Sequence, residues 1–198
     1  MDPYVYPGTN VLRNLRDIRD PERLAVAEAI ATTRRIAELP SDPKIGNFDT
    51  AHLRAIHRHI FQDLFDWAGA FRTVNIARSG QMPFAFPQHI VASVQKFSSD
   101  LAREGYLAKL SHEKFVKRAA HFMGELNAIH PFREGNGRTQ REFIWQLAAR
   151  SGYGLDWSQL TQAQVYAAAH LSFQRGDNSG LEEMLRRAMF DNVDREDR

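Results

Sequence analysis

Between His130 and Arg141 the chain reads His-Pro-Phe-Arg-Glu-Gly-Asn-Gly-Arg-Thr-Gln-Arg, and no other window holds as much potential chemistry. Gly135 and Gly137 flank Asn136 just ahead of a helical pattern. They let successive backbone N–H groups turn toward one concave point that the helix dipole also makes positive. Such a point binds phosphate. Arg138 and Arg141 are spaced to share a face of the new helix's first turn and can grip further phosphoryl oxygens with fork geometry. Glu134 is the one carboxylate in the loop. A nucleotide-bound Mg²⁺ takes one or two protein carboxylates while phosphate and water fill its other positions, so Glu134 is the candidate metal ligand. His130, restricted by Pro131, can accept the proton of a hydroxyl that attacks a phosphoryl centre. Taken singly, a histidine before proline more often ends a helix, and Gly-Asn-Gly is more often a plain turn. Their joint order and spacing point to catalysis.

Helices must bracket this loop. Phe115, Ala119, Phe122, Leu126 and Ile129 recur at spacings of four and three, predicting a buried central helix from a cap at Ser111 to a stop at His130, before Pro131. Periodicity resumes from Arg138 to Arg150 through Phe143, Ile144, Leu147 and Ala148. Further helices are predicted over Glu22–Leu39, Asp49–Trp67, Pro87–Glu104, Trp157 or Ser158 to Phe173, and Ser179–Phe190. In the first of these, Val26, Ala29, Ile30, Thr33 and Ala37 mark one side, with Glu28 and Arg35 opposite. Phe71–Ile76 and Met82–Phe86, joined through a turn at Ser79-Gly80, read as a β-hairpin over residues 72–86. Its exposed edge could pair with an incoming peptide strand. Residues 1–20 read as an arm anchored by Tyr4 and Tyr6, and Asp191–Arg198 as a frayed polar tail. The expected fold class is mainly α: a helical bundle with one small β-hairpin.

The composition narrows the function classes. The chain's 26 basic and 24 acidic residues are intermixed, leaving a formal charge of +2 and no basic block for nucleic acid or a membrane surface. Zero cysteines exclude thiolate chemistry and disulfides, and with no signal peptide the default expectation is cytoplasmic. There is no HExxH, and His112, His121 and His130 stand nine residues apart, so zinc is not expected.

The segment from His130 to Arg141 closely resembles the signature of the Fic family, H-x-F-x-[D/E]-G-N-G-R-x-x-R, at every specified position. The likeness extends from the Asp2-Pro-Tyr start through Asp66-Trp-Ala-Gly69, Gly124-Glu-Leu-Asn-Ala-Ile-His130 and Arg141-Glu-Phe-Ile-Trp-Gln-Leu147, and these flanks most resemble the short bacterial Fic toxins and the Fic domains of related effectors. It implies a single Fic domain over residues 1–198 that transfers AMP from Mg-ATP to a protein hydroxyl. On that resemblance His130 is the base and Glu134 holds Mg²⁺. Gly135, Asn136 and Gly137 form the anion hole, Asn136 near the α-phosphate, and Arg138 and Arg141 bind the β- and γ-phosphates. The hairpin becomes the flap that aligns the target protein. Glycine at 137 favours AMP transfer, because a relative that transfers phosphate carries lysine there.

Many family members are restrained by a helix bearing [S/T]-x-x-x-E-[G/N], whose glutamate pairs with the arginine matching Arg141. Glu38 fails that pattern, and Ser179-Gly-Leu-Glu-Glu183 has the spacing but is followed by Met184 inside a predicted core helix. The match at Glu183 reads as accidental, so the resemblance implies a small antitoxin chain that supplies the glutamate. The leading expectation is a toxin acting on DNA gyrase and topoisomerase IV. The alternatives are the Fic domain of a translocated effector that modifies a host protein such as a small GTPase, and a catalytically silent Fic-fold binding module.

Overall fold

The computed structural model describes residues 2–41, 46–77 and 82–191. Among the described residues seven α-helices follow one another: α1 (Pro21–Glu38), α2 (Thr50–Phe61), α3 (Pro87–Arg103), α4 (His112–Ile129), α5 (Asn136–Arg150), α6 (Gln162–Arg175) and α7 (Ser179–Ala188). Two short strands, β1 (Tyr153–Leu155) and β2 (Met189–Asp191), pair antiparallel.

Helix α4 forms the centre, as its apolar stripe requires. Phe115, Ala119 and Leu126 are fully buried, and α3, α5, α6 and α7 all pack against it. Polar residues set the starts of other helices. The Asp20 carboxylate accepts from Arg23 N–H, Asp49 does the same for His52, and Thr161 forms a reciprocal capping box with Gln164. Ser111 sits at the α4 N-cap position without a side-chain hydrogen bond.

Several sequence expectations need correction. Helix α2 ends at Phe61, short of Trp67. Leu64 and Phe65 both turn back to the Phe61 carbonyl, while the Leu64 carbonyl accepts from Leu15 of the N-terminal arm. The inward side of α1 is the one expected to face out. Val26 and Ile30 are 60% and 66% exposed, whereas Leu24, Ala31 and Thr32 are buried and Glu28 and Arg35 reach inward to Arg138 and Asp63. Residues 157–159 form a separate 3-10 turn before α6, and Asp191 belongs to β2 instead of the tail.

Within the hairpin expected over 72–86, the described residues show one antiparallel bridge, Ala77 to Pro83, supported by Phe84 N–H on the Ile76 carbonyl at 3.1 Å. The regular two-stranded sheet lies elsewhere, where Gly154 crosses Phe190; a Cβ at 154 would come within 2.2 Å of that ring. The expected turn at Ser79-Gly80 and the tail 192–198 lie outside the described residues. No helix among the described residues is long and apolar enough to cross a membrane.

Candidate active site

The loop sits where α4 ends and α5 begins. His130 caps α4 in the left-handed region, φ 47° and ψ 61°, its N–H still bonded to the Leu126 carbonyl. A non-glycine residue holds that conformation only when its surroundings impose it. Here the imidazole stacks on Phe84 of the flap excursion at 3.8 Å between centroids, and Nδ1 lies 3.2 Å from the Asn127 carbonyl. A carbonyl can only accept, so Nδ1 carries a proton, and in the neutral ring Nε2 is the nitrogen that can accept one.

The loop after it is closed from within. Asn136 Oδ1 accepts from Phe132 N–H at 2.9 Å and its Nδ2 donates to the Phe132 carbonyl at 2.8 Å. The buried Asn136 side chain therefore shapes the loop, and the backbone N–H is the Asn136 group that could face an anion. Gly135, at φ 78°, lies against Phe61; an added Cβ would come within 2.1 Å of that ring. Gly137 is different. Its φ is ordinary, and a Cβ would meet only Arg141 Nη1, at 3.5 Å. Glycine at 135 serves the fold, and glycine at 137 keeps clear the space in front of the loop. The N–H groups of Asn136, Gly137 and Arg138 find no acceptor among the described residues, so three donors of the α5 terminus point at one region.

The two arginines are in unlike states. Arg138 is tied on several sides: it pairs with Glu28, donates to Thr32 Oγ1 at 3.2 Å, lies 4.8 Å over the Phe61 ring, and stands 3.6 Å from Glu134. Burial holds the Glu28 carboxyl above its usual range despite the opposing pull of Arg138. Arg141 has no hydrogen bond or ion pair among the described residues, and burial together with the neighbouring Arg138 lowers its pKa. A largely buried cation without a counter-charge is costly, and an anion bound beside it would relieve that cost. Glu134 Oε1 accepts from Gly135 N–H at 2.8 Å, and its half-exposed carboxylate keeps acceptor capacity on the solvent side. That oxygen donor fits Mg²⁺, a hard cation completed by phosphate and water.

Two residues that the sequence reading did not single out hold this loop. His57 is fully buried between Phe61 and Phe132, with ring centroids 4.7 and 3.8 Å away. Its Nδ1 accepts from Gly69 N–H at 2.8 Å, so Nε2 carries the proton and donates to the Glu134 carbonyl at 3.1 Å. Burial lowers its pKa to about 4, so it is neutral near pH 7. Arg72 is the other, buried beneath His130. The two inhibitory-glutamate candidates in this chain both lie elsewhere: Glu183 bonds Arg186 and Arg187 on α7, and Glu38 bonds Arg34 and Arg35.

Comparison with known proteins agrees with this geometry. The Fic/DOC family profile matches residues 47–148. The protein adenylyltransferase VbhT of Bartonella schoenbuchensis is 40% identical over 94% of this chain, which spans 38% of that protein's length. The probable protein adenylyltransferase Fic of Salmonella typhimurium is 42% identical over 95% of this chain and 92% of its own. Among solved structures, the VirB-translocated effector BepC of Bartonella tribocorum, with bound AMPPNP, superposes with a TM-score of 0.90 at 28% identity, covering 96% of this chain and 97% of that one. Fold, loop and relatives coincide, and the chain belongs to the Fic/DOC family.

Proposed function

We infer that the chain is a protein adenylyltransferase, the activity for which its relatives are named, and that it moves AMP from ATP to a hydroxyl side chain of a target protein. The observation that carries this reading is the placement of His130, its Nδ1 on the Asn127 carbonyl, and of Arg141, without a counter-charge among the described residues, about one N–H-lined loop. The target oxygen attacks the α-phosphorus, the bond from that phosphorus to the β-phosphate bridging oxygen breaks, and pyrophosphate leaves. The hydroxyl proton goes to His130 Nε2. Backbone N–H groups at Asn136, Gly137 and Arg138 face the phosphate chain, and Arg141 takes its terminal charge. Glu134 would hold Mg²⁺, which when bound neutralises charge on the phosphates. The flap, whose Phe84 ring lies on His130, presents the edge on which the target segment aligns.

The test is labelled ATP with bacterial lysate. Wild-type protein should label a discrete protein band, and His130→Ala should reduce the rate on the order of a hundredfold or more. No label with the wild type in either bacterial or eukaryotic lysate would overturn the reading.

The finer reading is a cytoplasmic bacterial toxin that acts on the ATPase-bearing subunits of DNA gyrase and topoisomerase IV, restrained by a small antitoxin whose glutamate pairs with Arg141. The absence of a counter-charge for Arg141 among the described residues supports an inhibitor from another chain. Self-labelling by the isolated chain checks this. Weak self-labelling that Glu183→Gly relieves would instead make the restraint internal. A second reading, the Fic domain of a translocated effector, is favoured by the likeness to BepC. Label appearing in eukaryotic lysate and not in bacterial lysate would select it.

A further inference from the structure

Arg72 is 2% exposed and has no carboxylate partner among the described residues. Its guanidinium donates only to backbone carbonyls. Nε reaches His130 at 2.8 Å, Nη1 reaches Val74 at 2.8 Å, and Nη2 reaches Ala85 at 2.5 Å and Ile129 at 3.3 Å. Its backbone N–H adds a fifth bond, to the Pro131 carbonyl at 2.9 Å. These acceptors belong to three pieces of chain. Ile129 and His130 are the end of α4, where carbonyls lack helical donors and the dipole is negative. Val74 lies on the outgoing limb of the flap and Ala85 on the returning limb. Ala85 N–H also bonds the Ala128 carbonyl at 3.3 Å, and Phe84 beside it carries the His130 ring.

A buried arginine without a carboxylate among the described residues gains its hydrogen bonds from backbone carbonyls, and so fixes the geometry of the segments that carry them. One planar fork here fixes both limbs of the flap and the left-handed turn of His130 in a single frame. We propose that Arg72 is a positioning residue for the transfer step: it locks the imidazole and the target-aligning flap to each other, so that base and incoming hydroxyl meet in register. This rests on the reading of His130 as base and of the flap as target edge. Lysine cannot substitute, because one ammonium has three donors at a point and cannot span carbonyls on opposite sides of a guanidinium.

The test compares wild type, Arg72→Lys, Arg72→Met and Arg72→Ala for thermal stability, ATP affinity by calorimetry, label transfer, and the ¹⁵N imidazole spectrum of His130. The expected result for Arg72→Lys is ATP affinity within about twofold of wild type, transfer down about a hundredfold, and a His130 ring that no longer holds its single Nδ1–H tautomer. Millimolar guanidinium should restore part of the transfer in Arg72→Ala, and ammonium should not. Unchanged transfer and an unchanged His130 spectrum in Arg72→Lys would overturn the proposal. So would loss of ATP affinity in step with transfer, because that marks general damage to the fold. If Arg72→Met fails to fold, the lysine variant still decides. Absence of transfer by wild type would instead remove the base reading, while the His130 spectra would still report whether Arg72 sets the ring.

Discussion

At the scale of single residues, the informative contrast is between Arg138 and Arg141. Both are specified by the motif, yet one is neutralised by Glu28 and the other has no counter-charge among the described residues. The same Nη2 of Arg138 stands between Glu28 and the candidate metal ligand Glu134, which it approaches to 3.6 Å. Glu28 therefore keeps Arg138 from closing fully on Glu134. Converting Glu28 to Gln removes the charge but keeps the shape. The guanidinium should then swing toward Glu134 and compete with Mg²⁺, so the metal concentration for half-maximal transfer should rise about tenfold, the effect expected when an outer partner of a metal ligand is lost. A magnesium titration of label transfer measures it. An unchanged titration would mean that Glu28 only attaches α1 to the body. Arg141→Ala should raise the KM for ATP far more than Glu28→Gln does, since Arg141 is the cation without an internal partner.

At the scale of elements, the two loop glycines separate folding from function. Gly135→Ala faces both a left-handed backbone and a collision with Phe61, and should cost about 2–5 kcal/mol in denaturant unfolding. Gly137→Ala meets neither, so its unfolding midpoint should stay near wild type while label transfer drops, because the new methyl enters the space in front of the N–H groups. Equal losses of stability in the two variants would contradict this division. The motif loop was readable in the sequence because its chemistry lies in consecutive residues, and α4 was readable because its apolar stripe is buried. Helix α1 was misread for a physical reason. It meets the body partly through ion pairs, Glu28 with Arg138 and Arg35 with Asp63, so the apolar side carrying Val26 and Ile30 faces outward. Arg72 and His57 were not readable, because each acts on a backbone carbonyl 58 or 77 residues away and no side-chain pattern marks such a partner. Of the hairpin expected over 72–86, the described residues show one antiparallel bridge, Ala77 to Pro83. Arg72 bonds Val74 on its outgoing limb and Ala85 on its returning limb.

Across the whole molecule, His57 links the motif loop to overall stability. It stands on α2, is stacked between Phe61 and Phe132, and donates to the Glu134 carbonyl, so it joins the core to the loop. In the folded chain its pKa is lowered to about 4 from 6.5, chiefly by burial. Between those two values the unfolded chain binds a proton that the folded chain does not, and stability therefore rises with pH across that window. The contribution is complete above the unfolded value and is lost as pH falls from about 6.5 to about 4, where the slope ends. The lowering corresponds to about 3 kcal/mol. Urea unfolding in steps from pH 7.5 to pH 4 should show this loss in the wild type, on top of whatever the carboxylates contribute. In His57→Gln the ring is gone and the side-chain amide can still donate to Glu134. That variant should start less stable at pH 7.5, through lost stacking, and fall with a shallower slope. If both proteins lose stability in parallel over the window, His57 is not the group that titrates, and the acid sensitivity of the fold must be sought among the paired carboxylates such as Asp63, whose usual range is already pulled down by Arg35.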